Sequence, residues 1–309
     1  MTWLNNVIGG ISTPRIYKLE DTNQITNGDF EDALSAEWDG TGYSRVLASA
    51  QSPAFVAPRG DYVLKVDDDD ASSWEKAYQC PDYGAALGDK SFLLIGKIRA
   101  SGSNHDVDIK LGSATTDGGS INNATKLTIP AKTDYSRIFH LIVTFSSETD
   151  QYLKVELGGC IDTVANTGIA FYDDIRIYEI KDTYNLEQPK SVSGTAWDQS
   201  WREEKITDFN LIDGKNRKVL NGWRYYLNMV YGYHTATEQQ SIIEVTENGL
   251  NFVIPHIDNL FGQLMRWNGD YKNEYFFGRY LGHAMVVALK AIELENEKPR
   301  EIGTDHTVS

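Results

Sequence analysis

Between residues 23 and 181 apolar and polar positions alternate in short runs, with Gly, Asp, Asn and Ser between them. Residues 61–67 set Tyr62, Leu64 and Val66 against Val63 and Lys65. Residues 105–111 place Val107, Ile109 and Leu111 on one face and Asp106, Asp108 and Lys110 on the other. Residues 136–145 and 151–157 behave alike, the second with Leu153, Val155 and Leu157 inward, and 171–180 closes the series. A period of two, repeated with turn residues between runs, predicts an antiparallel β-sandwich.

The pattern then changes. Residues 182–200 are polar, contain Pro189, Ser191, Ser193 and Gly194, and read as a linker. In 201–297, Asn221-Gly222 between two apolar runs predicts a hairpin with a type I′ turn. Thr235 and Glu238 form a capping box before a helix that runs to about Asn248, where Gly249 supplies a left-handed cap. Residues 251–255 read as a strand. Asn268-Gly269-Asp270 predicts a second hairpin, and 280–294 a long strand. Residues 1–22 read as an extended arm, and 298–309 as a loose polar tail. The expected fold is mainly β: one sandwich at 23–181, then a smaller sandwich with one helix at 201–297.

The chain has 309 residues and a formal net charge of −15. That charge repels phosphate backbones and disfavours sequence-independent nucleic-acid binding. Residues 23–181 carry 14 basic and 24 acidic side chains, net −10, so most of the acid lies on the first sandwich. No apolar run reaches the length of a membrane-spanning helix. The segment MTWLNN lacks a basic stretch followed by an apolar one, and the expectation is that the chain does not follow the standard export route. The two cysteines, Cys80 and Cys160, are too few for a disulfide framework or a zinc cluster and read as buried thiols.

Enzyme signatures are missing. There is no G-x-S-x-G, Walker A loop, H-E-x-x-H or C-x-x-C, and the six histidines show no metal-ligand spacing. A non-enzymatic protein is expected. Asp67–Asp70 reads as a solvated acidic loop, because four consecutive acids on a strand cannot face one ion.

Three segments carry a resemblance. They are Asn27-Gly28-Asp29-Phe30-Glu31, Gly60-Asp61-Tyr62-Val63-Leu64-Lys65-Val66 and Tyr172-Asp173-Asp174-Ile175. In this order they resemble the carbohydrate-binding-module jelly rolls of the galactose-binding-like superfamily. The resemblance implies an antiparallel jelly roll over 23–181, with first and last strands adjacent. It also implies a structural Ca²⁺ there, with Glu31 and Asp174, then Asp29 and Asp173, as ligands; carboxylate oxygens suit that ion. It implies glycan contact through aromatic rings, for which Trp38, Tyr43, Trp74 and Tyr78 are the candidates.

A second resemblance rests on Trp223-Arg224-Tyr225-Tyr226-Leu227, on Phe252-Val253-Ile254-Pro255-His256 with Asp258, and on Met265-Arg266-Trp267-Asn268-Gly269-Asp270. Residues 201–297 resemble small sandwich-plus-helix domains of bacteriophage tail and virion proteins. The segment holds more aromatic residues than a core of its size needs, and arginines beside exposed rings are typical of protein interfaces. Trp223, Arg224, Tyr226, Arg266 and Trp267 are the expected interface residues, with Trp3 and Leu4 of the arm. The resulting expectation is a virion structural protein, a phage tail or head–tail component. It would form homo-oligomers, bind other virion proteins and touch host glycans. The alternatives are a binding module attached to a carbohydrate-active enzyme, and a cell-surface adhesion protein.

Overall fold

The computed structural model describes residues 15–34, 36–70, 73–101, 106–130, 137–162, 167–185, 197–210, 216–232, 240, 243–245, 249–254, 262–267, 272–275, 283–291 and 307–308. In chain order its strands are β1 (Arg15–Leu19), β2 (Asp39–Gly40), β3 (Tyr43–Leu47), β4 (Tyr62–Asp68), β5 (Lys76–Gln79) and β6 (Ser91–Ser101). Next come β7 (Val107–Ala114), β8 (Asn122–Ile129), β9 (Arg137–Thr144), β10 (Tyr152–Gly158) and β11 (Gly168–Asn185). The last are β12 (Trp197–Asn210), β13 (Asn216–Gly232), β14 (Leu250–Ile254), β15 (Gln263–Trp267), β16 (Lys272–Tyr275), β17 (His283–Ala291) and β18 (Thr307–Val308). The protein is mainly β, as its alternation predicts. The chain divides into two compact units, Glu20–Ile180 with Pro299–Ser309, and Met1–Leu19 with Lys181–Lys298.

The first unit is a two-sheet sandwich. One sheet pairs β3 with β4, β4 with β11, β11 with β6 and β6 with β9. The other runs β18-β8-β7-β10-β5-β2. All these pairings are antiparallel. Leu64, Leu94, Leu141 and Ile177 of the first sheet share one buried cluster with Ile109, Leu127, Val155 and Leu157 of the second. Burying each such side chain contributes roughly 1.5–3 kcal/mol. The residues read as inward, Val107, Ile109, Leu111, Leu153, Val155 and Leu157, are all buried. β6 escapes an alternation search because Phe92-Leu93-Leu94-Ile95 is apolar on both faces.

The three motif segments converge at one end of this sandwich. β11 bulges at Asp174, whose φ is 56°, and its pairing with β6 shifts between Asp173 and Arg176. Gly28 packs on the bulge: Ile175 N–H donates to Gly28 O at 2.8 Å, and a Cβ on Gly28 would lie 2.0 Å from Ile175 O. Only glycine permits that approach. Three residues on, Glu31 Oε1 accepts from the Asp61 and Tyr62 amides at 2.9 and 2.8 Å and fixes the start of β4. Arg45 donates to Phe30 O at 2.6 Å and lies 3.2 Å from the centre of the Tyr62 ring.

The second unit differs from expectation in several places. The stretch read as linker is shorter, since β11 continues to Asn185 and β12 begins at Trp197. Residues 15–19 of the expected arm form β1, which pairs antiparallel with β14 and buries Ile16, Tyr17 and Leu19. Asn221-Gly222 is no hairpin turn. β13 runs straight through it, and pairing passes from Glu204↔Gly222 to Lys205↔Leu220, so Asn221 is the extra residue of a bulge. Bulges favour residues that tolerate unusual backbone angles, as turns do, and the two signals coincide.

The second expected hairpin is also absent. β15 and β16 both pair with β17, Trp267 opposite Leu289 and Lys272 opposite Val286. They are successive pieces along one side of that strand, with Asn268-Gly269-Asp270 in the interruption, outside the described residues. β17 confirms the strand expected in 280–294. Helical residues 243–245 and the 84° φ of Gly249 agree with the expected helix and its cap; Thr235 and Glu238 lie outside the described residues. In the expected tail, Thr307 and Val308 pair with Thr128 and Leu127 of β8, whose outer edge has free backbone groups.

Candidate functional site

The outward face of the β8-β7-β10-β5-β2 sheet gathers groups that the sequence scatters. Register sets Lys126, Lys110, Glu156, Tyr78 and Asp39 in one row across five strands. The row beside it holds Lys76, opposite Gly158, and Asp108, opposite Thr128. These are the polar partners of Ala77, Val155, Leu157, Ile109 and Leu127, which fill the core.

Trp74 and Tyr78 are half-buried on this face. Trp74 precedes β5, and its indole packs on Gly158, where a Cβ would come within 2.6 Å of the ring. Its Nε1–H donates to Cys160 O at 3.0 Å. Lys110 and Lys76 bring their ammonium groups to 4.4 and 4.7 Å from the indole ring centre. Lys154 lies 4.1 Å from the centre of the Tyr78 ring, and the Tyr78 hydroxyl donates to Asp39 Oδ2 at 2.8 Å. That hydrogen bond, then burial, pushes the phenol up to about 12. The same bond holds the Asp39 carboxyl below its usual range.

Glu156 forms the floor between the rings. It is 1% exposed; Lys76 Nζ lies 2.8 Å and Lys154 Nζ 3.5 Å from its Oε1. Its Oε2 is buried without a hydrogen-bond partner. Lys154 also donates to Gly119 O at 2.5 Å, which ties the turn after β7 to the face. Asp108 accepts from Lys126, Thr128 and the Asp162 amide, and Lys110 pairs with Asp162. Ammonium and carboxylate groups thus alternate, with two rings beside them. Such a surface offers donors and acceptors to hydroxyl groups and flat apolar area to C–H faces.

The other two aromatic candidates belong elsewhere. Trp38 is 2% exposed, packs on Phe30 at 5.3 Å between ring centres, and donates Nε1–H to Thr26 O and Asn27 O. It is a core residue with a satisfied indole. Tyr43 packs against the same core and donates its hydroxyl to Trp38 O at 2.8 Å.

Three of the four acids expected to hold Ca²⁺ are engaged by other groups, and the fourth, Asp29, is half-buried beside Gly28. Glu31 is engaged by backbone amides. Asp174 is ion-paired with Lys97 at 2.9 Å, Arg59 at 3.2 Å and Arg176. Burial raises its carboxyl, but these three cations outweigh burial and hold it below its usual range. Asp173 Oδ2 accepts from the Arg59 amide at 2.7 Å, while burial pushes this carboxyl well up. Both Asp174 oxygens are taken by cations, which would repel a divalent ion. Among the described residues no group of three or more His, Cys, Asp or Glu side chains is placed to hold a metal ion.

The acidic run differs from expectation too. Asp67 and Asp68 belong to β4, and Asp68 is 1% exposed. Its Oδ2 accepts from Cys160 Sγ at 2.9 Å. Both cysteines are free and buried, as expected.

Of the expected interface residues, Arg224 and Tyr226 are half-buried on β13, alternating with buried Tyr225 and Leu227. Tyr225 is therefore a core aromatic. Trp223 lies in β13, and Arg266 and Trp267 in β15, with side chains outside the described set; Trp3 and Leu4 also lie outside it.

Of the residues on this face, Trp74 and Tyr78 are legible in the sequence as aromatic candidates, whereas Lys76, Lys110, Lys154 and Glu156 are not. Alternation puts these on an outer face; only strand order puts them on the same one.

No protein-family model matches the chain. Two curated proteins of Arabidopsis thaliana, chromatin modification-related proteins EAF1 B and EAF1 A, are each 25% identical, over 162 and 138 residues. Those alignments cover 51% and 43% of this chain but only 8% and 7% of the plant proteins. Similar solved structures include carbohydrate-binding modules. The CBM22-1 xylan-binding domain of Paenibacillus barcinonensis Xyn10C is 14% identical, covers 52% of this chain and 96% of its own, and has a TM-score of 0.36. A family 16 carbohydrate-binding module is 15% identical, covers 50% and 99%, and also scores 0.36. The enzymatically active domain of bacteriophage CBA120 tailspike protein 4 is 12% identical, covers 51% and 21%, and scores 0.37.

Proposed function

We propose that this chain is a non-enzymatic structural protein whose Glu20–Ile180 unit contacts glycans through the outward face of its six-stranded sheet. The observation that carries the reading is the pair of half-buried rings, Trp74 and Tyr78, on one sheet face, with the Lys76 and Lys110 ammonium groups beside the indole and Asp39 on the phenol. The ammonium groups and the Asp39 carboxylate can bond sugar hydroxyls, and a sugar's C–H face suits the neighbouring rings.

The finer part of the proposal is the setting. Residues 201–297 carry the sequence pattern that resembles virion proteins, and we assign the second unit to assembly in a phage tail or head–tail region. The sandwich would then meet glycans on the host surface. The test is a glycan array probed with the full-length chain. Binding to a discrete set of glycans, lost in Trp74→Ala, supports the reading. Hydrolysis of a bound glycan, or binding unchanged in Trp74→Ala, contradicts it.

A further inference from the structure

In the second unit the sheet runs β12-β13-β17-β15-β14-β1. Among the described residues β12 pairs on one side only, with β13. It is 14 residues long and contains no proline. From Trp197 to Glu204 its ladder is regular, opposite Met229 to Gly222, and the first shift comes between Glu204 and Lys205. A regular strand at a sheet end presents unpaired N–H and C=O groups to another strand. The bulge at Asn221 of β13 breaks the regular ladder opposite Glu204 and increases the local twist, and it confines an added strand to the stretch before Glu204.

Charge along this stretch identifies the partner. We infer that β12 pairs antiparallel with β12 of a second copy of this chain, about a two-fold axis at Ser200. In that register Asp198 stands opposite Arg202 of the second copy, and Arg202 opposite its Asp198. Trp197 faces Glu203 and Gln199 faces Trp201, so no like charges meet. Within each copy Arg202 already stands directly opposite Arg224 of β13. Like charges directly across a ladder destabilise it, and opposite charges stabilise it. The Asp198 of a second copy would enter that row on the side of Arg202 away from β13. A C2 contact of this kind is self-complementary and closed. The inference rests on the assignment of the second unit to assembly and adds the surface and the partner.

The experiment is the molar mass of the full-length chain by size-exclusion chromatography with light scattering over a concentration series. Wild type is expected to form a dimer. Asp198→Arg and Arg202→Asp each place like charges together twice and should weaken the dimer at least about tenfold. The double reversal, Asp198→Arg with Arg202→Asp, restores both pairs and should restore the dimer. Far-UV circular dichroism of each variant reports whether it is folded. An oligomer indifferent to the single reversals, or a folded double variant that stays monomeric, overturns this edge and leaves assembly through another surface. A monomeric wild type at every concentration overturns both the edge and the assembly assignment.

Discussion

The Tyr78 hydroxyl donates to Asp39 Oδ2 at 2.8 Å, joining neighbouring strands on the outward face of the sandwich. This pair holds an aromatic ring in place beside the buried Glu156. Its titration is the simplest check on the geometry. A free phenol ionises near 10, and this one is pushed up to about 12. The folded state favours the protonated phenol, so the pair's stabilisation is complete below pH 10 and is lost as pH rises through about 12. Ultraviolet difference absorbance between wild type and Tyr78→Phe should place this tyrosinate transition above that of ordinary tyrosines. Asp39→Ala should bring it down; an unmoved transition contradicts the hydrogen bond.

Trp38 and Trp74 should respond oppositely to truncation. Trp38→Ala empties a core position and should cost about 3–5 kcal/mol of unfolding free energy. Trp74→Ala should cost much less stability and lose ligand binding. Urea denaturation of both variants checks the stability half of this prediction. A Trp38→Ala protein as stable as wild type would show that its ring is not core.

Asp174 couples the ionisation of a buried acid to stability. Asp174→Asn leaves Lys97 buried beside a neutral amide. Breaking a buried ion pair in this way costs about 3–5 kcal/mol. The folded carboxyl is held below its usual range. Its contribution is therefore present above the unfolded value near 3.9 and fades as pH falls through the lower folded value. Thermal melts at neutral pH should show a large loss in the variant, and the gap to wild type should close on acidification. A gap that stays constant with pH would exclude this carboxylate as its source.

Cys160 is raised by burial and then by its hydrogen bond to Asp68. Both thiols should react slowly with a disulfide reagent in the native protein and rapidly after denaturation. Cys160→Ala leaves Asp68 Oδ2 without this donor and should cost about 1–3 kcal/mol. Cys160→Ser keeps a donor and should cost less. Rapid native labelling of Cys160 would contradict its burial.

The sandwich was largely legible in the sequence because β7 and β10 carry apolar side chains on the core face and charged ones on the other, and alternation reports that directly. The resemblance also implied that the first and last segments are adjacent, and Gly28 and Ile175 do meet; that Tyr62 joins them through Glu31 was not implied. Partner choice was not legible. The acids of Tyr172-Asp173-Asp174-Ile175 look like metal ligands until Lys97 of β6 and Arg59 are brought onto them across the fold. Asn221-Gly222 reads as a turn because bulges and hairpins use the same residues. The candidate face shows the limit best: Lys110 and Glu156 are far apart in sequence, and only the register of β7 on β10 makes them neighbours.

Glycan contact by the Trp74–Glu156–Tyr78 face is tested most directly by isothermal titration calorimetry of the full-length chain. Soluble neutral oligosaccharides are titrated into wild type and into folded Trp74→Ala and Glu156→Gln variants. Saturable heat is predicted for wild type with at least one oligosaccharide, lost in Trp74→Ala and reduced at least about tenfold in Glu156→Gln, which removes the ion pairs that hold Lys76 and Lys154 beside the rings. Equal binding by all three proteins, or no heat from wild type with any oligosaccharide, would contradict it.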